Sequence, residues 1–168
     1  SMQYFAVPHL DAAGGVQTTA SHNPVHYIGY KISKRDAKPV GRDSGLTEIE
    51  EIARSLEGEC PPPVGKLEQR DLWAAYRDHI RSFMSPLKRP VKVFVDASNG
   101  MATTLIPKVF EGIENLDLVV INDAYTEQWA HEPNPLVAEN VVPTQEGVKA
   151  HGAALGACFD GDADRCML

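Results

Sequence analysis

A chain of 168 residues with 43% hydrophobic content has the length of one ordinary domain and enough apolar residues to build a core. Its formal net charge of -7 disfavours non-specific binding to nucleic acid, whose phosphates are gripped by Lys/Arg clusters, and no apolar run approaches the roughly 20 residues needed to span a bilayer. Cys60, Cys158 and Cys166 are scattered, odd in number and without CxxC spacing, and the start lacks a signal-peptide pattern, so reduced thiols in a cytoplasmic compartment are expected, with no membrane and no nucleic-acid partner.

In chain order, the apolar spacing of Tyr4 to Leu10 predicts a short helix that Gly14-Gly15 ends, and Val16 to Thr19 a strand running into a polar loop. Tyr27 to Ile32 reads as a second strand, and the basic group Lys31, Lys34, Arg35 and Lys38 as a solvated strand and turn. Thr47 opens a helix reaching Leu56, with Glu48, Glu50 and Glu51 near its positive end. Cys60-Pro61-Pro62-Pro63-Val64-Gly65 is the best linker, because three prolines can neither continue a helix nor sit in a central strand. Beyond it, Asp71 caps a helix over about Leu72 to Met84 whose Leu72, Tyr76, His79, Ile80 and Phe83 share one face.

The period then changes. Strands at Val91–Asp96, Leu116–Asn122 and Ala154–Phe159 alternate with helices at Met101–Phe110 and Thr144–His151, and Trp129 to Pro135 forms a long loop. This β-α-β-α-β order predicts an α/β fold of mixed, mostly parallel sheets covered by helices. Ligands gather at the carboxyl ends of such strands, where Asp96 and Asp160 both lie.

Two loops carry the chemistry. Asp160-Gly161-Asp162-Ala163-Asp164-Arg165 alternates carboxylates with small residues directly after an apolar run, a pattern suited to a hard cation such as Mg²⁺. A solvated acidic turn is the plain alternative, but three anions at the end of a buried strand are costly without a cation. An EF-hand fails, because Arg165 stands where Gly is needed and the closing Glu would fall beyond Leu168. Thr19-Ala20-Ser21-His22-Asn23-Pro24 sets a serine in a polar loop; taken alone it fits a simple turn equally well. A Ser-His hydrolase lacks its Gly-x-Ser-x-Gly elbow, and zinc at His22 and His26 is opposed by Pro24 between them. Lys31, on the next strand, is a candidate charge partner or acid/base, or an ordinary solvated lysine.

Taken together, these residues resemble the α-D-phosphohexomutase family, particularly its phosphomannomutase/phosphoglucomutase branch. Thr19 to Pro24 is similar to the family's phosphoserine loop, Gly29-Tyr30-Lys31 to its Gly-aromatic-Lys segment, and Asp160 to Arg165 to its Asp-Gly-Asp-x-Asp-Arg metal loop. Asp96 to Ala102 and Glu132-Pro133-Asn134-Pro135 resemble its second domain; Ile28 departs, since many members carry Asn there. The resemblance implies a mutase phosphorylated on Ser21 that passes the group to a hexose phosphate and recovers one from a hexose 1,6-bisphosphate. It implies Mg²⁺ on Asp160, Asp162, Asp164 and a phosphoserine oxygen of Ser21. His22 and Lys31 become acid/base or phosphate-positioning residues, with Arg165 beside the transferred group. The implied layout is the latter part of a first domain over 1–60, a Pro-rich linker at 61–69 and a second domain over 70–168. Without the family's other domains, the fragment is expected to lack turnover. A phosphoglucosamine mutase fragment and a non-catalytic metal- and phosphate-binding module are the competing expectations.

Overall fold

The computed structural model describes residues 2–24, 26–56, 58 and 62–168. They divide into two compact units. The smaller comprises Met2–Gln17 and Tyr30–Leu72, and the larger comprises Thr18–Gly29 and Trp73–Leu168. Cys60 and Pro61, at the head of the expected linker, lie outside the described residues.

In the smaller unit, α1 (Met2–His9) precedes a two-stranded sheet of β1 (Gly14–Thr18) and β2 (Tyr30–Lys34), and α2 (Leu46–Ser55) follows. Helix α1 ends at His9, ahead of Gly14 and Gly15, and these two glycines open β1. A Cβ on Gly14 would lie 2.5 Å from the Ser33 carbonyl oxygen, and one on Gly15 would lie 2.7 Å from Val7 Cγ2, so the helix and neighbouring strand approach where side chains are missing. The second strand starts only at Tyr30, because Tyr27 donates its N–H to the Pro24 carbonyl in a turn. The helix expected from Thr47 begins one residue earlier, after Gly45 at φ 121°.

The larger unit is a three-layer α/β assembly. After α3 (Trp73–Arg81) come β3 (Val91–Asp96), α4 (Ala102–Phe110), β4 (Leu116–Ile121), α5 (Ala138–His151), β5 (Leu155–Phe159) and β6 (Cys166–Met167). The sheet order is β4-β3-β5-β6, with β3 parallel to both neighbours and β6 antiparallel to β5. This is the expected mostly parallel fold. Residues alternate across the pleat: Val93 and Val95 pack with Ala157, Ala102 and Ile106 on the α4 side. Phe94 points the other way, against Gly147 of α5, where a Cβ would lie 2.1 Å from the ring.

Two expectations need correction, and one feature is new. The helix expected over Leu72–Met84 runs from Trp73 to Arg81, and of the residues expected to share one face, Tyr76 is buried while His79 and Phe83 are exposed. Helix α5 starts at Ala138, six residues before the expected Thr144, and contains Pro143. Pro143 cannot donate to the Glu139 carbonyl, and that break is tolerated where Glu139 is exposed to water. Finally, β6 turns the chain back along β5, so the aspartate loop is the tip of a hairpin.

Candidate active site

The strand order supplies the location. From β3 the chain crosses to β4 on one side, while β5 lies on the other, and in sheets with such a reversal ligands gather beyond the carboxyl ends of the strands, here β3 and β5. The loop after β3, residues 97–101, and the loop after β5, residues 160–165, both emerge there.

The β5–β6 loop is built around Asp160. This residue is fully buried, and its Oδ1 accepts the backbone N–H groups of Asp164 and Arg165 at 3.1 Å each. Its Oδ2 accepts the Nε–H of Arg165 at 2.8 Å and forms an ion pair with Nη2 at 2.7 Å. Ala163, at φ 56°, completes the tight reversal, and its N–H reaches the Asp160 carbonyl. One oxygen each from Asp160, Asp162 and Asp164 lies within 4.8 Å of the others, so these residues form a group that can hold a metal ion. Burial pushes the Asp160 carboxyl above the usual carboxylate range. Hydrogen bonds from Arg165 pull it down, and the charges of Asp162 and Asp164 add to the rise.

The serine loop, Thr18–Gly29, belongs to this same unit. Thr19 Oγ1 donates to Asp162 Oδ2 at 2.9 Å and accepts the Ser21 N–H at 2.8 Å, tying the two loops together through one hydroxyl. Ser21 sits at φ 54°, a left-handed backbone that costs a non-glycine residue about 1–3 kcal/mol and is concentrated at functional sites. Arg165 Nη2 donates to Ser21 Oγ at 3.3 Å and to His22 Nδ1 at 2.5 Å. His22 Nδ1 is therefore an acceptor, and it lies 3.4 Å from Ser21 Oγ. One guanidinium thus spans a buried carboxylate and a serine oxygen.

The larger unit brings together Ser21, His22, Asp160, Asp162, Asp164 and Arg165 of the residues expected from the sequence. Lys31 belongs to β2 of the smaller unit and is half-buried. Sequence reasoning overlooked Thr19 as an individual residue and the whole of His131. His131 Nε2 lies 2.9 Å from the buried Asp96 Oδ2. A histidine in a Pro-rich loop has no periodicity to announce it; the one signal was Asp96, an acidic residue ending an apolar strand and in need of a partner.

Comparison with known proteins adds to this geometry. Residues 74–168 match the family model for phosphoglucomutase/phosphomannomutase alpha/beta/alpha domain II, and residues 1–59 match that for domain I. The chain belongs to the phosphoglucomutase/phosphomannomutase family. It is 36% identical to a phosphomannomutase of Vibrio cholerae, over 98% of this chain and 37% of that protein. To proteins of Xanthomonas campestris named phosphohexose mutases it is also 36% identical, over 98% and 37%. A crystal structure of a phosphoglucomutase/phosphomannomutase family protein from Burkholderia thailandensis superposes with a TM-score of 0.74 at 31% identity, covering 92% of this chain and 33% of that one. The chain therefore spans less than two-fifths of the length of these relatives.

Proposed function

We propose that this chain carries the phosphoryl-transfer centre of a phosphosugar mutase, with Ser21 as the residue that bears the phosphoryl group. The observation that supports this most directly is Arg165, whose guanidinium joins Asp160 of the three-carboxylate cluster to the Ser21 hydroxyl. A serine that merely closed a turn would need no such company. The proposed layout keeps residues 1–60 as part of a first domain, 61–69 as linker and 70–168 as the second domain, in a cytoplasmic protein.

The donor set is entirely of hard oxygen, which suits Mg²⁺. Asp160, Asp162 and Asp164 would hold it together with an oxygen of phosphorylated Ser21, and once bound it neutralises charge on the transferred group. The chain's own residues do the rest. Arg165 orients the phosphoryl group on Ser21 Oγ as a planar cationic fork. A hydroxyl of a hexose phosphate attacks phosphorus in line, the bond to Ser21 Oγ breaks, and the new bond gives a hexose 1,6-bisphosphate. The attacking hydroxyl gives up its proton as the departing Ser21 Oγ gains one, and Lys31 and His22 are the proposed acid/base or phosphate-positioning residues for this exchange. In the second transfer, Ser21 Oγ takes the other phosphoryl group and releases the isomerised hexose phosphate.

Titration of the chain with Mg²⁺ tests the metal half: Asp162→Ala is expected to lose affinity, and an unchanged affinity counts against the assignment. Intact-mass measurement of a full-length version after incubation with a hexose 1,6-bisphosphate tests the nucleophile. A phosphate mapped anywhere except Ser21 refutes it.

A further inference from the structure

Gly161 is where three loops meet. On one side its missing Cβ would lie 2.3 Å from the Ser21 carbonyl oxygen and 3.5 Å from Pro133 Cγ. On the other, the Met101 N–H donates to the Gly161 carbonyl at 2.9 Å, and a Cβ on Gly100 would lie 2.5 Å from that same oxygen. The aspartate loop is therefore wedged between the serine loop, the loop after β3, and the 129–135 loop that carries the fully buried Pro133.

The third of these loops needs an anchor, since its residues belong to no helix or strand. Besides the Asn140 side chain, which donates to the Asn134 carbonyl, two anchors lie at the end of β3 and in the loop that follows it. The Ala130 N–H donates to Asn99 Oδ1 at 3.0 Å. His131 meets Asp96, whose Oδ1 already accepts the Ser98 N–H and Asn122 Nδ2 at 2.9 Å each, leaving Oδ2 for the imidazole. The other ring nitrogen, Nδ1, faces the Glu132 carbonyl oxygen at 2.8 Å. Both partners of the ring are acceptors, so only the doubly protonated imidazolium satisfies both. Hydrogen bonding to Asp96 correspondingly raises the His131 pKa. Asp96 is fully buried, and a buried carboxylate with three donors around it is a rigid post.

We propose that Asp96 and His131 are positioning residues for the phosphoryl-transfer centre: their ion pair pins the 129–135 loop onto the end of β3, and through Pro133 that loop holds Gly161, and with it the aspartate loop, against Ser21. The role assigned to that centre rests on the functional reading above; the mechanical linkage does not.

Amide hydrogen exchange on the metal-free 168-residue chain tests the linkage, paired with a Mn²⁺ titration that tests its consequence. The reporting amides are Met101, which bonds to Gly161, and Asp164 and Arg165, which bond to Asp160. In His131→Ala these three are expected to exchange faster while Val93 and Val95 in β3 are unchanged. Mn²⁺ affinity should fall about 10- to 100-fold, the usual cost of removing a group that orients metal ligands. His131→Gln, whose amide can still donate to Asp96, should recover most of both. If His131→Ala does not fold, Pro133→Ala leaves the ion pair in place and should give the same exchange pattern. Unchanged exchange at the three amides, or equal acceleration at Val93 and Val95, overturns the proposal. A wild-type chain that binds no Mn²⁺ instead overturns the functional reading, and the exchange comparison still decides the positioning role.

Discussion

Replacing Gly161 by Ala isolates the contact between the serine and aspartate loops. Gly161 does not have a positive φ, so alanine adopts its backbone without penalty and only the added methyl group matters. That methyl would lie 2.3 Å from the Ser21 carbonyl oxygen, and ordinary contact begins at 3.4 Å, so the serine loop must withdraw by 3.4 − 2.3 = 1.1 Å. Overpacking of this kind costs about 1–3 kcal/mol. Expressed wholly as separation of the two loops, that range corresponds to about a 5- to 140-fold loss in any equilibrium requiring them together. The assay is Mn²⁺ titration of the chain, with the Ser21 amide followed by NMR as an independent report on the loop. A shifted Ser21 resonance and an affinity reduced within that range are expected. An unchanged resonance and unchanged affinity would refute the view that the loops are held in register at Gly161.

Four further outcomes are expected. Thr19→Val keeps the shape of the side chain but strands the Ser21 N–H and removes a donor from Asp162, a loss of about 1–3 kcal/mol for an unsatisfied polar group; Thr19→Ser should restore Mn²⁺ affinity, and failure to do so would assign the effect to packing. Gly147→Ala drives a methyl to 2.1 Å from the Phe94 ring and should lower unfolding stability of the larger unit by about 1–3 kcal/mol, read from urea denaturation. The Asp96–His131 pair should give a pH-dependent stability of its own. Asp96 is lowered from 3.8, burial being outweighed by its hydrogen bonds to His131, Asn122 and Ser98, so its contribution is present above that value and lost as pH falls through the folded pKa. His131 is raised from 6.5, so its contribution is present below that value and lost as pH rises through the folded pKa; in His131→Gln the alkaline loss should vanish from the urea midpoints. Lastly, phosphorylation of Ser21 should tighten Mg²⁺ binding in calorimetry, and equal affinity of the two forms would separate the serine from the cation site.

The parallel sheet was legible because β3, β4 and β5 bury apolar runs and are separated by helix-length segments. The aspartate loop was legible because it follows such a run and concentrates carboxylates at a strand end, whereas the serine loop follows the largely exposed β1 and was legible from its polar residues alone. The start of α5 was not, and its buried stripe explains why. Asn140, Thr144 and Gly147 face inward, so the helix offers polar and small residues where a hydrophobic period would be sought. The Asn140 side chain satisfies its burial locally by donating to the Asn134 carbonyl at 3.0 Å. The His131–Asp96 contact was hidden for another reason: it joins residues 35 positions apart, through a loop whose conformation is set by tertiary partners. No membrane-crossing helix was expected, and none among the described residues is long and apolar enough to be one.

Charge balance ties the two halves of the site together. Within residues 160–165 there are three carboxylates and one guanidinium, a formal excess of two negative charges, gathered at the end of a buried strand. Arg165 is already committed to Asp160, yet the Asp160 carboxyl still lies above its usual range, so one cation does not offset burial and two anionic neighbours. A phosphoryl group on Ser21 would add about -1.5 to -2 more within reach of the same guanidinium. On the proposed function, the neutral serine form carries the excess with Arg165 and hydrogen bonds, and a phosphorylated form would gain from a divalent cation to share it. By linkage, whatever phosphorylation contributes to cation affinity, the cation returns to the stability of the phosphorylated state. The serine and the aspartates are on that account one electrostatic unit, and Thr19 and Gly161 are the contacts that keep it closed.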